Sequence, residues 1–332
     1  TLSVAHGTLA VVGGSATIAG SGTASVTLTG TLTQINATLS AGNAVTYTPT
    51  ANYNGADTLT MLTDDGGNTG GAAQTASSTV AITITAVNDA PVLTLPAAQT
   101  TAEDTALAIA GLSFTDVDAA SGTVTATLAV TQGTVDVLGS AATSAGVTVT
   151  TNNTASVQLT GTLAAINTVL ATANAVIYRP TANFNGSDSL TLTVNDGGNT
   201  GGVAQSTSGS VAITVTAVND APVLADTALS FTTLTEDAAA PSGAVGALVS
   251  SLVGGISDAD TGAVKGIAIT GTNTTNGTLY YSTDAGVTWT AVGAVSSTSA
   301  LLVGSDANTR LYFKPAANYN GTLTDAITFV AW

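Results

Sequence analysis

The stretch TVAITITAVNDAPV, residues 79–92, decides how this chain folds. Apolar residues alternate with small and hydroxyl residues in its first half, so Val80, Ile82 and Ile84 share one face of an extended chain. A period of two in residues of high β-propensity predicts a strand with one buried face. The Asn-Asp-Ala-Pro that follows is typical of a turn, and here it marks the end of one module and the start of the next.

The same stretch recurs almost unchanged as SVAITVTAVNDAPV at residues 210–223, within a long internal duplication. Residues 24–93 align without gaps on residues 155–224, with 47 identities in 70 positions, so equivalent residues lie 131 positions apart. A third, diverged copy is marked by PAANYNG at 315–321, which matches PTANYNG at 49–55 and PTANFNG at 180–186. Repetition at a fixed period predicts a tandem array of one structural unit.

The repeat divides the chain into three modules. Module one is the partial module at 1–88, and module two is the complete module at 89–219. Module three, at 220–332, is expected to be truncated before its last hairpin. We therefore expect the chain to be a section of something longer.

Turn signals and strand patterns predict an all-β fold with one exception in each module. Asn-Gly and Asp-Gly pairs, which favour hairpin turns, separate the strands. In TLTQINATL the apolar residues Leu32, Ile35 and Leu39 have helical spacing, and Thr31 with Gln34 forms a capping box. Each module is thus expected to contain at most one short helical crossover.

The composition excludes several classes of partner. The chain carries 20 acidic and 4 basic residues, a net charge of −16, so it lacks the Lys and Arg that nucleic acids and anionic membranes require. It has no Cys, which removes disulfides and thiolate metal sites. No apolar run approaches the roughly 20 residues of a membrane span, so no direct membrane insertion is expected. A Cys-free acidic chain rich in Thr and Gly points to the outside of a bacterial cell.

The acidic residues recur at fixed places in the modules. They lie in the Asn-Asp linkers, in the Glu-Asp pairs Glu103-Asp104 and Glu236-Asp237, in two D-x-D pairs, and in the late Asp-Gly-Gly turns. In order and kind these motifs resemble those of cadherins. They resemble more closely the cadherin-like tandem repeats of giant bacterial surface proteins, the RTX-adhesin and VCBS-type repeat proteins. The resemblance covers essentially the whole chain and implies a linear array of cadherin/Ig-like Greek-key β-sandwiches with Ca²⁺ at the module junctions.

With seven strands running alternately down and up, that fold gathers two sets of oxygen ligands. The first junction would use Asn54, Asp57, Asn88, Asp89, Asp116, Asp118 and Asp196. The second junction would use Glu103, Asp104, Asp188, Asn219, Asp220, Asp258 and Asp260. Carboxylates that converge without Lys or Arg repel one another, and a hard cation with six to eight oxygen ligands would relieve that repulsion. The alternative is that Asn-Asp-Ala-Pro is only a good turn.

Enzyme chemistry is not expected. His6, the only histidine, occupies a turn position, so no Ser-His-Asp triad can form. STDAGVTW at 282–289 resembles the Asp-box of sialidases, a structural hairpin remote from their catalytic site. The acids recur by module rather than as one isolated pair, which argues against glycosidase chemistry.

These observations lead to one functional hypothesis and two alternatives. The hypothesis is a non-enzymatic, Ca²⁺-stiffened stalk of a large bacterial surface adhesin, whose partners are the adjacent modules of the same chain. The first alternative is a self-assembling subunit of a surface layer, sheath or filament, since the exposed strand faces carry Thr, Ser and Ala rather than guarding charges. The second is carbohydrate binding by 220–332, with cell-surface or matrix glycans as partners and Tyr280, Tyr281 and Trp289 as a stacking platform.

Overall fold

The computed structural model describes residues 1–225, 230–231 and 233–332. It is mostly β and divides into two compact units, Thr1–Thr216 and Ala217–Trp332. Modules one and two fall together in unit 1, and module three is unit 2. Among the described residues, no helix has the length and the apolar character needed to cross a membrane.

Module one contains seven strands and one helix. Its elements are β1 (Leu2–Ser3), β2 (Gly7–Val11), β3 (Thr17–Ala19), β4 (Ser25–Thr29), α1 (Leu32–Ser40), β5 (Val45–Pro49), β6 (Gly55–Asp64) and β7 (Thr75–Ile84). Five strands form a sheet in the order β3-β4-β1-β6-β7, and β2 pairs with β5. A small core of Leu2, Leu9, Val11 and Val26 lies among these strands.

Module two has the larger core and more elements. They are β8 (Val92–Thr94), β9 (Gln99–Ala102), β10 (Leu107–Ala108), β11 (Ser113–Thr115), β12 (Thr123–Ala129), β13 (Gly133–Val137), α2 (Gly139–Ala145), β14 (Thr148–Thr150), β15 (Ser156–Thr162), α3 (Leu163–Ala171), β16 (Val176–Pro180), β17 (Gly186–Asn195) and β18 (Ser206–Thr216). Its main sheet has the order β14-β15-β12-β17-β18-β9, with β9 parallel to β18 and the other pairs antiparallel. The smaller groups are β10-β16-β13 and β11-β8.

Unit 2 is built from short strands around a separate core. They are β19 (Val223–Leu224), β20 (Ala247–Leu248), β21 (Ile256–Ser257), β22 (Gly266–Thr272), β23 (Gly277–Ser282), β24 (Thr290–Ala291), β25 (Leu301–Gly304), β26 (Arg310–Pro315) and β27 (Ile327–Ala331), with a 3-10 helix at Val249–Ser251. The sheets have the orders β20-β26-β23-β24, β25-β22-β27 and β19-β21. Ile267, Ile269, Leu279 and Leu311 are among its fully packed core residues.

The predicted crossover helices are confirmed. Helix α1 has the complete capping box: the Thr31 hydroxyl accepts from the Gln34 N–H, and the Gln34 side chain accepts from the Thr31 N–H. Its counterpart α3 is capped by Thr162 and buries Ile166 and Leu170 in the core of module two. The capping groups satisfy N–H groups that the first helical turn leaves without partners.

The expectation of at most one helix per module is wrong for module two, which also contains α2. Between the shared Gly-Thr start of β13 and the shared Ala-Ser-Val start of the duplication, module two is five residues longer than module one. The helix, GSAATSA, lies within this longer segment; it contains no large apolar residue, and only Ala142 is buried. The helix ends at Gly146, whose φ of 72° is accessible to glycine at little cost.

The alternation in TVAITIT gives different burial in the two copies. In β18, Val211, Ile213 and Val215 are buried, as predicted. The equivalent of Val211 in β7 is Val80, which is 60% exposed, compared with 2% for Val211. Strand β9 pairs with β18 and strand β8 contacts it, whereas β7 is an edge strand of its sheet in the described structure. The sequence pattern fixes which face is apolar, but tertiary neighbours decide whether that face is covered.

This contrast predicts unequal costs for equivalent truncations. Leu192→Ala in β17, where the side chain is 1% exposed, should lower the free energy of unfolding by about 3 kcal/mol, since it leaves a core cavity. Met61→Ala, the equivalent change at a side chain 36% exposed, should cost less than about 1 kcal/mol. Urea denaturation followed by far-UV circular dichroism measures both. Equal losses would show that the two faces are equally covered in solution.

Candidate functional site

The linker between modules one and two is held by the last hairpin turn of module two. The Asn88 side-chain amide donates to Asp196 Oδ2 at 2.7 Å and to the Val203 carbonyl at 3.0 Å. The Gln205 side chain donates in turn to the Asn88 carbonyl. Both residues of the central pair are buried, since Asn88 is 7% and Asp196 is 1% exposed. The Asp-Gly-Gly turn and the Asn-Asp linker are thus brought together, as the sequence predicts.

Asp196 keeps its charge in this buried place through hydrogen bonds. Burial by itself would raise the pKa of its carboxyl group, because it disfavours the charged form. The N–H groups of Gly198 and Gln205, which donate to Oδ1 at 2.8 Å, and the Asn88 amide outweigh burial and hold the pKa below its ordinary value. Asp196 is therefore an anionic acceptor at neutral pH.

The D-x-D pair reaches the same linker from the turn after β11. The Asp89 N–H donates to Asp118 Oδ2 at 2.7 Å. The Asp118 and Ala119 N–H groups donate to Asp116 Oδ1 at 2.8 and 2.9 Å. Asp118 is buried and Asp116 is half-buried. Linker, D-x-D turn and last hairpin therefore meet at one end of module two.

Two oxygens at this end of the module have no partner. Asn88 Oδ1 and Asp116 Oδ2 are fully buried atoms, and neither accepts a hydrogen bond from any described residue. The orientation of the Asn88 amide is fixed by its bonds, because both acceptors of Nδ2 are oxygens. A buried oxygen without a donor costs free energy comparable to a lost hydrogen bond, so a ligand of positive charge would be favourable here.

The acids are nevertheless spread out. Among the described residues, no group of three or more His, Cys, Asp or Glu side chains is arranged to hold a metal ion. The oxygen-rich region includes amide and carbonyl oxygens as well as carboxylates, and Ca²⁺ accepts all three kinds of ligand. Any cation at this end would therefore need to be held largely by neutral oxygens.

Asn54 lies across from these groups, on module one. A cavity of about 320 Å³ in unit 1 is lined by the Pro49–Asn54 loop, by the end of β7 and the linker, and by Asp89 and Asp118. Asn54 thus shares a solvent-accessible space with two of the predicted ligands. Six of the seven residues predicted for the first junction lie in this region.

Asp57, the seventh residue, has a different role. Its carboxylate accepts from the N–H groups of Ala5, His6 and Thr58 and from the Tyr47 hydroxyl, at 2.8–3.1 Å. Burial alone would raise its pKa, but these donors lower the pKa to about 2. The carboxylate is therefore saturated within its own module, where it fixes the turn before β2.

Asp188, predicted for the second junction, repeats that arrangement in module two. It accepts from Thr131 and Gln132 in the turn before β13, from the Ser189 N–H, and from the Tyr178 hydroxyl at 3.0 Å. Burial and the bond to Asp188 both raise the pKa of Tyr178, so its hydroxyl remains a donor. The structure assigns both acids to turn fixation, and sequence analysis missed their tyrosine partners.

Glu103 and Asp104 hold the loop after β16. Asp104 Oδ1 accepts from the Asn183 N–H at 3.1 Å, and the Asn185 amide donates to Glu103 Oε2 at 3.3 Å. Asp104 has a positive φ of 56°, which is uncommon outside glycine and asparagine. Both acids thus lie beside the Asn-Gly turn of module two, as predicted.

Unit 2 repeats the contacts of the D-x-D turn. The Asp220 N–H donates to Asp260 Oδ2 at 2.8 Å, and the Asp260 N–H donates to Asp258 Oδ1 at 2.9 Å. These two bonds correspond to the Asp89–Asp118 and Asp118–Asp116 bonds of module two. The Asn219 amide donates to the Asp220 carbonyl at 3.1 Å. The linker and D-x-D of each module therefore form one recurring local structure.

Of the three aromatic residues predicted as a platform in module three, Tyr281 packs against the core of unit 2, while Tyr280 lies opposite Tyr312 in the register of β23 with β26. The Trp289 ring meets Tyr312 edge to face, with centroids 6.1 Å apart, and its Nε1 donates to the Gly243 carbonyl at 3.2 Å. Tyr280 lies on the opposite face of β23 from Tyr281, because strand residues alternate. In the Asp-box, Asp284 accepts from Ser282 and Thr288 within the hairpin.

Comparisons with known proteins add little. No protein-family model matches the sequence, and no curated protein matches it. Among solved structures, the endo-fucoidan hydrolase MfFcnA4 from glycoside hydrolase family 107 is 16% identical with a TM-score of 0.20, covering 95% of this chain and 38% of its own. The endo-fucoidan hydrolase MfFcnA9 is 17% identical with a TM-score of 0.15, covering 65% and 28%. This chain therefore spans well under half the length of either protein, and similarity at this level carries no argument about fold or activity.

Gly201 provides a test of the contact between hairpin and linker. A Cβ at this position would lie 2.5 Å from the Val87 carbonyl carbon and 2.6 Å from the Asn88 nitrogen. Gly70, its equivalent in module one, has nearly the same φ, 90° against 88°, but nothing within 4 Å of a Cβ. Gly201→Ala should therefore be more destabilising than Gly70→Ala by about 1–3 kcal/mol, because only Gly201→Ala adds overpacking to the shared backbone strain.

Urea denaturation of the two variants measures that difference, and Gly70→Ala is the control for backbone strain. Equal losses for both variants would mean that the hairpin turn does not contact the linker in solution.

Proposed function

We propose that this chain is a section of a non-enzymatic extracellular stalk, in which bound Ca²⁺ stiffens the junctions between tandem Greek-key β-sandwich modules. The stalk would belong to a large adhesin on a bacterial surface. The observation that carries the proposal is the pair of buried, unpartnered oxygens, Asn88 Oδ1 and Asp116 Oδ2, beside the linker.

The surroundings of those oxygens support a hard cation over other ligands. The groups nearby in the contact network are carboxylate, amide and carbonyl oxygens, with Asp196 held anionic by its donors. Any group that donates to both orphan oxygens must carry positive charge or N–H and O–H groups. Ca²⁺ tolerates an irregular set of six to eight oxygens, whereas Mg²⁺ requires near-octahedral geometry and keeps its waters. Asn88 Oδ1 and Asp116 Oδ2 would bind the ion directly, and neutral oxygens of the linker region, among them that of Asn54, would complete its ligands.

A cation at this position would act on the flexibility of the linker. The linker is bonded to module two through Asn88 and Asp89, while Asn54 faces the same space from module one. An ion with ligands from both modules would link module one to module two and restrict the motion of the linker. The recurrence of the Asp220–Asp260–Asp258 bonds in unit 2 supports the same use of the next linker.

Thermal unfolding of the whole chain tests the proposal. Ca²⁺ at about 100 times its dissociation constant should stabilise unit 1 by about 2.7 kcal/mol per site, and raise its Tm by about 5–10 °C relative to EDTA. Mg²⁺ should give a smaller shift. Asp116→Asn should abolish the shift, because an amide still accepts from Asp118 and Ala119 at Oδ1 but supplies no anionic ligand.

Asp64→Asn is the matched control, since Asp64 is exposed at the end of β6 and carries the same charge. It should keep the full Ca²⁺ shift. A wild-type chain whose Tm is the same in EDTA and in Ca²⁺ would refute the site, as would equal loss of the shift in both variants.

A further inference from the structure

Unit 2 contains a cavity that the stalk hypothesis does not use. Its volume is about 410 Å³, a size suited to one small polar ligand. It opens between the Glu236-Asp237 turn, the start of β23 and the end of β26. The lining residues used below are Asp237, Thr274, Thr278 and Lys314.

The two charged residues of the cavity do not neutralise each other. Asp237 Oδ1 accepts from the Asn318 N–H at 2.9 Å, which fixes the carboxylate at the wall. Lys314 forms neither a hydrogen bond nor an ion pair within the part of the chain that the structure describes. In a chain with only four basic residues, an ammonium group that shares a cavity with a carboxylate and forms no ion pair with it is unusual. A ligand with both donors and acceptors could bridge them.

The other polar groups of the cavity are hydroxyls. Thr278 lies directly opposite Lys314 in the register of β23 with β26. Neither the Thr278 nor the Thr274 hydroxyl is hydrogen-bonded to any described residue, so both remain available as donors and acceptors. Tyr280 follows Thr278 on the same face of β23, one position beyond the residues that line the cavity. Alanine and proline side chains supply the apolar part of the wall.

These groups match a polyhydroxylated ligand better than an anion. An ammonium group opposite a carboxylate creates no net positive potential in the cavity, and the chain carries a charge of −16. Sugar hydroxyls can donate to Asp237 and accept from Lys314, while either threonine can do both. We propose that this cavity binds a neutral sugar residue of a polysaccharide, with Asp237, Lys314, Thr278 and Thr274 as polar contacts and Tyr280 at its edge.

Module two offers an internal control for this site. The shared Gly-Thr start of β13 and β23 makes Thr134 the equivalent of Thr278, and Arg179, which precedes Pro180, the equivalent of Lys314. The Thr134 hydroxyl, however, is bonded to Asn153 at 3.2 Å. Asp136 occupies the position of Tyr280. Module two therefore keeps the cation at this strand position but lacks the free hydroxyl and the aromatic ring.

The test is a titration of the whole chain by ¹⁵N–¹H NMR in EDTA, so that the result does not depend on Ca²⁺. The probes are the neutral tetramers maltotetraose, cellotetraose and mannotetraose, with tetragalacturonate as the anionic comparison. At least one neutral tetramer should shift the Thr274 and Thr278 amide resonances saturably and more tightly than tetragalacturonate. Lys314→Gln should raise its Kd at least tenfold, and Thr278→Val should also weaken binding.

Arg179→Gln should leave that Kd within twofold, because it removes the same charge from the equivalent strand position. An unchanged spectrum outside the cavity confirms that Lys314→Gln remains folded. The proposal fails if no neutral tetramer gives saturable shifts, if tetragalacturonate binds more tightly than all of them, or if Arg179→Gln weakens binding as much as Lys314→Gln does.

Discussion

The chain has too few basic residues to pair with its carboxylates. The fold depends instead on the hydrogen bonds that these carboxylates accept. With 20 acidic and 4 basic residues, most aspartates obtain their hydrogen bonds from backbone N–H groups in turns. Asp57, Asp188, Asp196, Asp284 and Asp306 all do so. Bonds to an ionised acceptor are shorter and stronger than neutral ones, so each such turn is fixed by one side chain. The pKa values of these carboxyls are lowered accordingly.

This constraint separates the acids into two kinds. Asp57 and Asp188 are saturated by donors of their own module, including a tyrosine hydroxyl, and have no oxygen left for a ligand. Asp116 uses one oxygen for its turn and leaves the other buried without a donor. A ligand bound at the linker would therefore not compete with turn formation, since different oxygens of Asp116 would serve each purpose.

The sequence predicts the regular features of the fold well, because they rest on local physics. The period of two gives the buried faces of β17 and β18, and the Thr31–Gln34 capping box gives the start of α1. Helix α2 escaped prediction because alanine and serine without an apolar period also fit a loop. The tyrosine partners of Asp57 and Asp188 escaped because they lie ten residues away, on a neighbouring strand whose position depends on tertiary pairing.

The candidate site was predictable to the same extent. The recurrence of Asn-Asp, D-x-D and Asp-Gly-Gly indicates which residues meet at the linker, because these turns lie at one end of an up-and-down arrangement of strands. Gln205 was missed, although its equivalent Gln74 recurs in the duplication and donates in the same way through its N–H, to Asp65. Which oxygen of each acid stays free depends on side-chain geometry that spacing does not encode.

The contact of Gly201 and Asn88 has a consequence for how such a chain can grow. The linker before module two contacts and hydrogen-bonds the last hairpin turn of that same module, which lies more than a hundred residues later in the chain. Module two and the linker before it therefore carry both halves of this coupling. Inserting or deleting a whole module together with its preceding linker would preserve this coupling, because both of its halves lie within that unit. Length can thus vary in whole repeats without the invention of a new interface.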